Sequence, residues 1–184
     1  MPRPAHRMSV FWFALALGLT GALSKRAAAQ QPPAPTPRQP PCSAPEHRQL
    51  DFWVGRWELT WADTLRGTNV IEQSLDGCTI IERFDGRPSI PLQGMSVSAF
   101  DRRTGKWRQV WTDNGGGWIP LEGGLVDGAM VLETRAVLNG RPTIQRMRWL
   151  NVTADSLDWV WDASVDDGRT WRPGWRIHYR RAAP

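Results

Sequence analysis

From Arg56 onward the chain alternates between apolar and polar side chains. Arg56-Trp57-Glu58-Leu59-Thr60-Trp61 places Trp57, Leu59 and Trp61 on one face and Arg56, Glu58 and Thr60 on the other, the period-two pattern of a half-buried strand. Similar segments recur at about 68–75, 78–85, 92–100, 106–113, 117–123, 129–138, 142–151, 156–164 and 171–180. Asp76-Gly77, Asp85-Gly86, Thr104-Gly105, Gly115-Gly116-Gly117, Asp127-Gly128, Asn139-Gly140 and Asp167-Gly168 stand between them. Asn-Gly and Asp-Gly pairs tolerate the positive φ that tight hairpin turns demand. The pattern predicts ten strands joined by hairpins, with no helical periodicity after residue 55. A meander of that length either exposes two edges or closes on itself, and closure removes the edges. The predicted fold is all-β, a closed antiparallel up-and-down β-barrel of about ten strands. Ahead of it, Ser43-Ala44-Pro45-Glu46 reads as a capping box with Pro in the first turn, predicting one short helix over roughly 44–53.

Upstream the pattern breaks down into two segments of different character. Residues 1–29 begin with Arg3 and Arg7, continue through the 14-residue apolar run Val10 to Leu23, and end on Ala27-Ala28-Ala29. That order is the order of a cleavable export signal, and the run is shorter than the roughly 20 residues of a membrane-crossing helix. Residues 30–41, QQPPAPTPRQPP, hold six Pro and no large apolar side chain, and such a stretch favours extended conformations over a core. The organisation expected is a signal peptide over 1–29, a disordered Pro-rich linker over 30–41 and one barrel domain over 42–184. The expected location is the periplasm or the exterior, with no membrane association after cleavage.

Charge changes the picture only once it is divided in the same way. The chain has a formal net charge of +5, but Arg3, Arg7, Lys25 and Arg26 supply four of those charges and residues 1–29 contain no acid. The remainder is nearly neutral, so no nucleic-acid partner is expected. Cys42 and Cys78 are the two cysteines; in an exported chain an even count points to a disulfide, and a metal site would need more ligands.

Chemistry is sparse. There is no Gly-rich phosphate loop and no metal-spaced cluster, so no catalytic residue, metal or cofactor is assigned. His47 falls in the N-terminal helix. His178 alternates with Arg172, Gly174, Arg176 and Arg180, while Trp171, Trp175, Ile177 and Tyr179 take the opposite face. An outward His178 does not supply the inward imidazole by which nitrobindin-type barrels hold haem.

The chain's 12 Trp, against one Tyr and five Phe, carry the more informative signal. If the Trp face is the inner face, alternation brings Asn69, Gln73, Glu82, Gln109, Asp113 and Gln145 inside with it. Trp107, Gln109, Trp111 and Asp113 share one face, Gln145, Met147 and Trp149 another, and Leu157, Trp159 and Trp161 a third. The candidate lumen residues are Glu82, Gln109, Trp111, Asp113, Gln145, Trp149, Trp159 and Trp161. Aromatic walls with a few polar groups suit a small hydrophobic or amphipathic molecule; the same residues would equally serve as a filled core. If Glu82 were structural, it would be expected to pair with a cation such as Arg146 or Arg148.

Three local motifs carry resemblances. Gly55-x-Trp57, opening the first strand after a short helix, resembles the start of the calycin barrels, the lipocalins and fatty-acid-binding proteins. That resemblance implies a Trp closing the barrel base beneath a basic side chain of the last strand, here Arg180 or Arg181. Ser164-x-Asp166-x-Gly168-x-Thr170-Trp171 is similar to the Asp-box of sialidases, and in single copy it reads as a hairpin staple. Asp51-Phe52-Trp53-x-Gly55-x-Trp57, Asn69-x-Ile71, Gly77-Cys78-x-Ile80-x-Glu82, Gly94-x-Ser96, Trp107-x-Gln109-x-Trp111-x-Asp113, Asp127-Gly128-x-Met130-Val131-Leu132 and Tyr179-x-Arg181 together resemble the exported bacterial domain of unknown function 1579 family, over most of residues 49 to 181. Trp159 stands where that pattern would have a polar residue. The resemblance implies a calycin-like barrel and export, and brings no established activity. The expected function is a non-catalytic binding protein. The alternatives are an enzyme using Glu82 or Asp113 as general base in the same lumen, and a carbohydrate-binding module with several Trp on its surface.

Overall fold

The computed structural model describes residues 40–183; the signal peptide and nearly all of the Pro-rich segment expected from the sequence lie outside them. Ten strands follow one another: β1 (Gly55–Trp61), β2 (Leu65–Ser74), β3 (Thr79–Asp85), β4 (Gln93–Asp101), β5 (Lys106–Asp113), β6 (Trp118–Val126), β7 (Ala129–Leu138), β8 (Arg141–Leu150), β9 (Ser156–Ser164) and β10 (Arg172–Arg181). Each pairs antiparallel with its neighbours in sequence, and β1 pairs with β10 to close the barrel. Thus every strand is hydrogen-bonded on both sides. Residues at the turns carry the positive φ anticipated for them, including Asp76, Asp127, Asn139 and Asp167.

The short N-terminal helix is present, but as two 3-10 turns, Pro45–Arg48 and Asp51–Trp53. The capping box does not form: the Ser43 hydroxyl donates back to the Pro40 carbonyl and Ala44 occupies the cap position. These turns lie across one end of the barrel. His47 packs edge-on against Phe100 at 5.1 Å, the Trp107 indole N–H donates to Gln49, and the Gln73 amide donates to Asp51. Leu50 and Trp53 are fully buried there.

Arg181 fastens this base. Its guanidinium lies 4.3 Å over the Trp57 ring and donates to the carbonyls of Phe52, Val54 and Ala154. Arg180 instead points outward to Glu58, so Arg181 is the basic partner. Gly55, at φ +140°, leaves the space: a Cβ there would stand 2.1 Å from the Arg181 guanidinium. The Cys42–Cys78 disulfide ties the chain before the first 3-10 turn to the β2–β3 turn at the same end. A separation of 36 residues gives about 3 to 4 kcal/mol in the chain-entropy account of cross-linking. The bond is that of an oxidising, extracellular-type compartment.

Among the described residues no comparable segment crosses the opposite end, and its hairpins are pinned by carboxylates. Asp113 accepts the amides of Gly115 and Gly117, Asp85 holds Arg87, and Asp166 accepts from Ser164, Thr170 N and the Thr170 hydroxyl. These hydrogen bonds hold the Asp85 and Asp166 carboxyls near pKa 2, well below the ordinary range. The Asp-box is therefore a staple, as its single copy implied.

Candidate functional site

Inward side chains of β3, β5, β6, β8, β9 and β10 surround a cavity of about 230 Å3 in the open half of the barrel. Trp111, Trp159, Trp161 and Trp175 wall it, with Phe84, Leu92 and Ile119 near the mouth. The aromatic rings support one another: Trp159 stacks on Trp161 at 6.1 Å, Trp175 meets Trp159, Phe84 and Trp61 edge-on, and Phe84 meets Trp111. Edge-to-face and offset stacks are the favoured aromatic geometries, so the walls are held by their own contacts. Gly94 makes one of them possible, since a Cβ there would lie 2.1 Å from the Trp111 ring.

Glu82 lines this cavity from β3 and is only 6% exposed. One carboxylate oxygen accepts from Asn69 Nδ2 at 2.7 Å and the other from the Ser96 hydroxyl at 2.6 Å. Register explains the cluster, because Glu82 pairs across with Ser96 on β4 while Asn69 sits on the adjacent inward row of β2. Asn69 Nδ2 also donates to the Tyr179 hydroxyl from β10 at 3.1 Å. Burial pushes the Glu82 carboxyl up to about 6, against the opposing pull of the two hydrogen bonds. Burial and the neighbouring carboxylate raise Tyr179 further above its ordinary range, keeping it neutral. Among the described residues no Lys, Arg or His lines the cavity.

The cations once expected beside Glu82 are elsewhere. Arg146 and Arg148 project from the outer face of β8 and both donate to Asp162 on β9. Arg146 also lies 3.5 Å over the Trp171 ring. Trp171 does not share the face of Trp175, Ile177 and Tyr179, because it precedes β10 and a register shift between Pro173 and Trp175 breaks the alternation. Trp175, Ile177 and Tyr179 do face inward, and His178 faces outward beside Asp158 at 2.9 Å.

Of the eight lumen candidates, Glu82, Trp111, Gln145, Trp159 and Trp161 line the cavity. The other three share the inner face without lining it. Gln109 is buried and donates to Ser98. Trp149 lies toward the closed base, edge-on to Trp53 at 5.1 Å. Asp113, the last residue of β5, caps the β5–β6 turn and also accepts the Trp111 indole N–H, and these donors lower its pKa. A carboxylate so occupied is a poor general base. Leu121, Met147, Ile177 and Tyr179 complete the lining, with Trp53 at the floor. Alternation alone identifies most of these as inward, but the Asn69–Glu82–Ser96–Tyr179 cluster needs the register of four strands. Asn69 Oδ1, Gln109 Oε1 and the indole nitrogens of Trp53 and Trp149 are buried without a partner among the described residues. Trp118 is the exposed Trp among them, so the multi-Trp surface that a carbohydrate-binding module would need is not assembled.

No protein-family profile and no curated protein matches the chain. Among solved structures it is similar to a de novo designed fluorescence-activating beta barrel, at 16% identity and a TM-score of 0.38, over 72% of this chain and 95% of that one.

Proposed function

We propose that this chain is an exported, non-catalytic binding protein that holds a small, largely apolar molecule in the open half of its barrel. The observation that carries the reading is an indole-walled cavity of about 230 Å3 inside a closed barrel whose base is covered by the two 3-10 turns. An apolar cavity of about 150 Å3 holds one benzene, so this one suits a bicyclic ring system or a single ring with a short tail. The disulfide and the charged-apolar-Ala order of residues 1–29 support export.

Titration of the full chain with a naphthalene-sized hydrophobic probe tests the reading. The expected result is a saturable change in Trp fluorescence that Trp161→Ala removes while circular dichroism stays unchanged. A broad set of such probes giving no saturable signal would refute a lumen site.

One observation favours a second reading, an enzyme. Glu82 is a carboxyl titrating near 6 inside an apolar cavity that no cation lines among the described residues, the setting in which a carboxylate serves as general base. Glu82→Gln would then abolish turnover while leaving ligand affinity intact.

A further inference from the structure

We infer that the lumen is built for an aromatic or aliphatic amine, bound with its ammonium group against Glu82 and its apolar body between the Trp walls. This deepens the binding reading above and rests on it.

Four features converge on a cationic ligand. The first is charge. Glu82 titrates near 6 and is therefore mostly ionised at neutral pH. The only other titratable group lining the cavity among the described residues is the neutral Tyr179. The charged side chains nearest Glu82 along β2 and β3, Glu72 and Arg83, pair with each other and are more than half exposed. A buried carboxylate without a counter-charge is costly, and a partner that brings the charge removes that cost on binding.

The second is hydrogen-bond capacity. Each carboxylate oxygen has two acceptor sites, and Asn69 and Ser96 occupy one on each. Both Asn69 amide hydrogens are committed, to Glu82 and Tyr179. Glu82 thus keeps free acceptor capacity, and an ammonium group is a donor only.

The third is the walls. Trp159, Trp161 and Trp175 present indole rings and Phe84 a phenyl ring to the same space. Aromatic faces attract a desolvated cation and repel an anion through the ring quadrupole. The fourth is size, since the volume admits one or two rings and a short chain. A carboxylate or phosphate ligand would meet Glu82 with like charge, and a neutral one would leave it uncompensated.

Calorimetry on the full-length protein with three probes of nearly equal shape tests the inference: naphthylethylammonium, naphthylethanol and naphthylacetate, at neutral pH. The expected order is ammonium tightest, by about tenfold or more over the alcohol, with the carboxylate weakest. Glu82→Gln should erase the preference for the ammonium over the alcohol. Gln keeps the pairing, because its carbonyl accepts from Asn69 and the Ser96 hydroxyl turns to accept from its amide. Equal binding of ammonium and alcohol, or tightest binding of the carboxylate, overturns the amine assignment and leaves the lumen reading standing. A preference that survives in Glu82→Gln overturns the role of the carboxylate. If none of the three binds saturably the amine assignment falls, and the lumen reading falls with it only where the broad probe set of the fluorescence titration is silent too. Should Glu82→Gln fail to fold, the order of the three probes on the natural chain decides alone.

Discussion

Burying Glu82 without a cation makes the stability of the barrel depend on pH. Its folded pKa of about 6 lies above the ordinary 4.5, so between those values the folded state binds more protons than the unfolded one. Stability then falls as pH rises through this window. A displacement of that size corresponds to about 2 kcal/mol, fully present as a penalty above pH 6 and absent below 4.5. Glu82→Gln should remove this component. Urea denaturation of both forms across pH 4 to 7 would show the variant gaining relative to the natural protein as pH rises; parallel curves would mean that Glu82 is not desolvated as described. Gly94 offers a steric counterpart. Gly94→Ala drives a methyl into the Trp111 ring, so the indole must shift within the lumen wall. Probe affinity should drop several-fold with the fold retained, as read by calorimetry and circular dichroism together. At this scale alternation revealed which residues face inward but not how far along the barrel axis they sit. Trp111 and Trp149 are equally inward, yet one lines the cavity and the other packs toward the base. Gln109 fails as a lumen residue for the same reason, since its neighbour across the ladder is Ser98 and it bonds there.

Strands were legible because their period and their turn residues agreed. All ten appear within a few residues of the predicted bounds. Elements failed where a local rule was overruled. The N-terminal helix tightened into two 3-10 turns that lie against Phe100, Trp107 and Gln73, and the Ser43 hydroxyl found a carbonyl in place of the cap. In β10 the shift beside Gly174 threw Trp171 out of phase, a feature that counting by twos cannot detect. The last strand also carries the element most exposed to a conservative change. Arg181 meets three carbonyls and one indole face with a planar fork, whereas Lys offers a point charge on a flexible stem. Arg181→Lys should leave part of the Phe52, Val54 and Ala154 carbonyl set unpaired and cost on the order of 2 kcal/mol. Thermal and chemical denaturation would register the loss; an unchanged midpoint would mean that the base is held by the disulfide and apolar packing alone.

Over the whole molecule, closure was the inference that sequence supported best, because ten hairpin-linked strands leave few other ways to satisfy two edges. The Gly55-x-Trp57 resemblance anticipated a base closed beneath Arg180 or Arg181; what lay beyond reach was how far the rest of that base is covered while the cavity lies toward the other end. That contrast depends on a segment before the first strand folding across one end, on Arg181 fastening it, and on glycines admitting the large side chains they face. The pairing of β1 with β10 has one more consequence. A ring of strands has no first member, and the start of β1 and the end of β10 are adjacent at the base, where the Ala182 amide meets the Arg56 carbonyl. The order in which the ribosome happens to make these strands is therefore separable from the shape they adopt. Bridging from the end of β10 to the chain just ahead of Cys42, so that the two 3-10 turns and the disulfide are kept, and reopening the chain at Asp127-Gly128, also at the base, yields a circular permutant whose mouth is untouched.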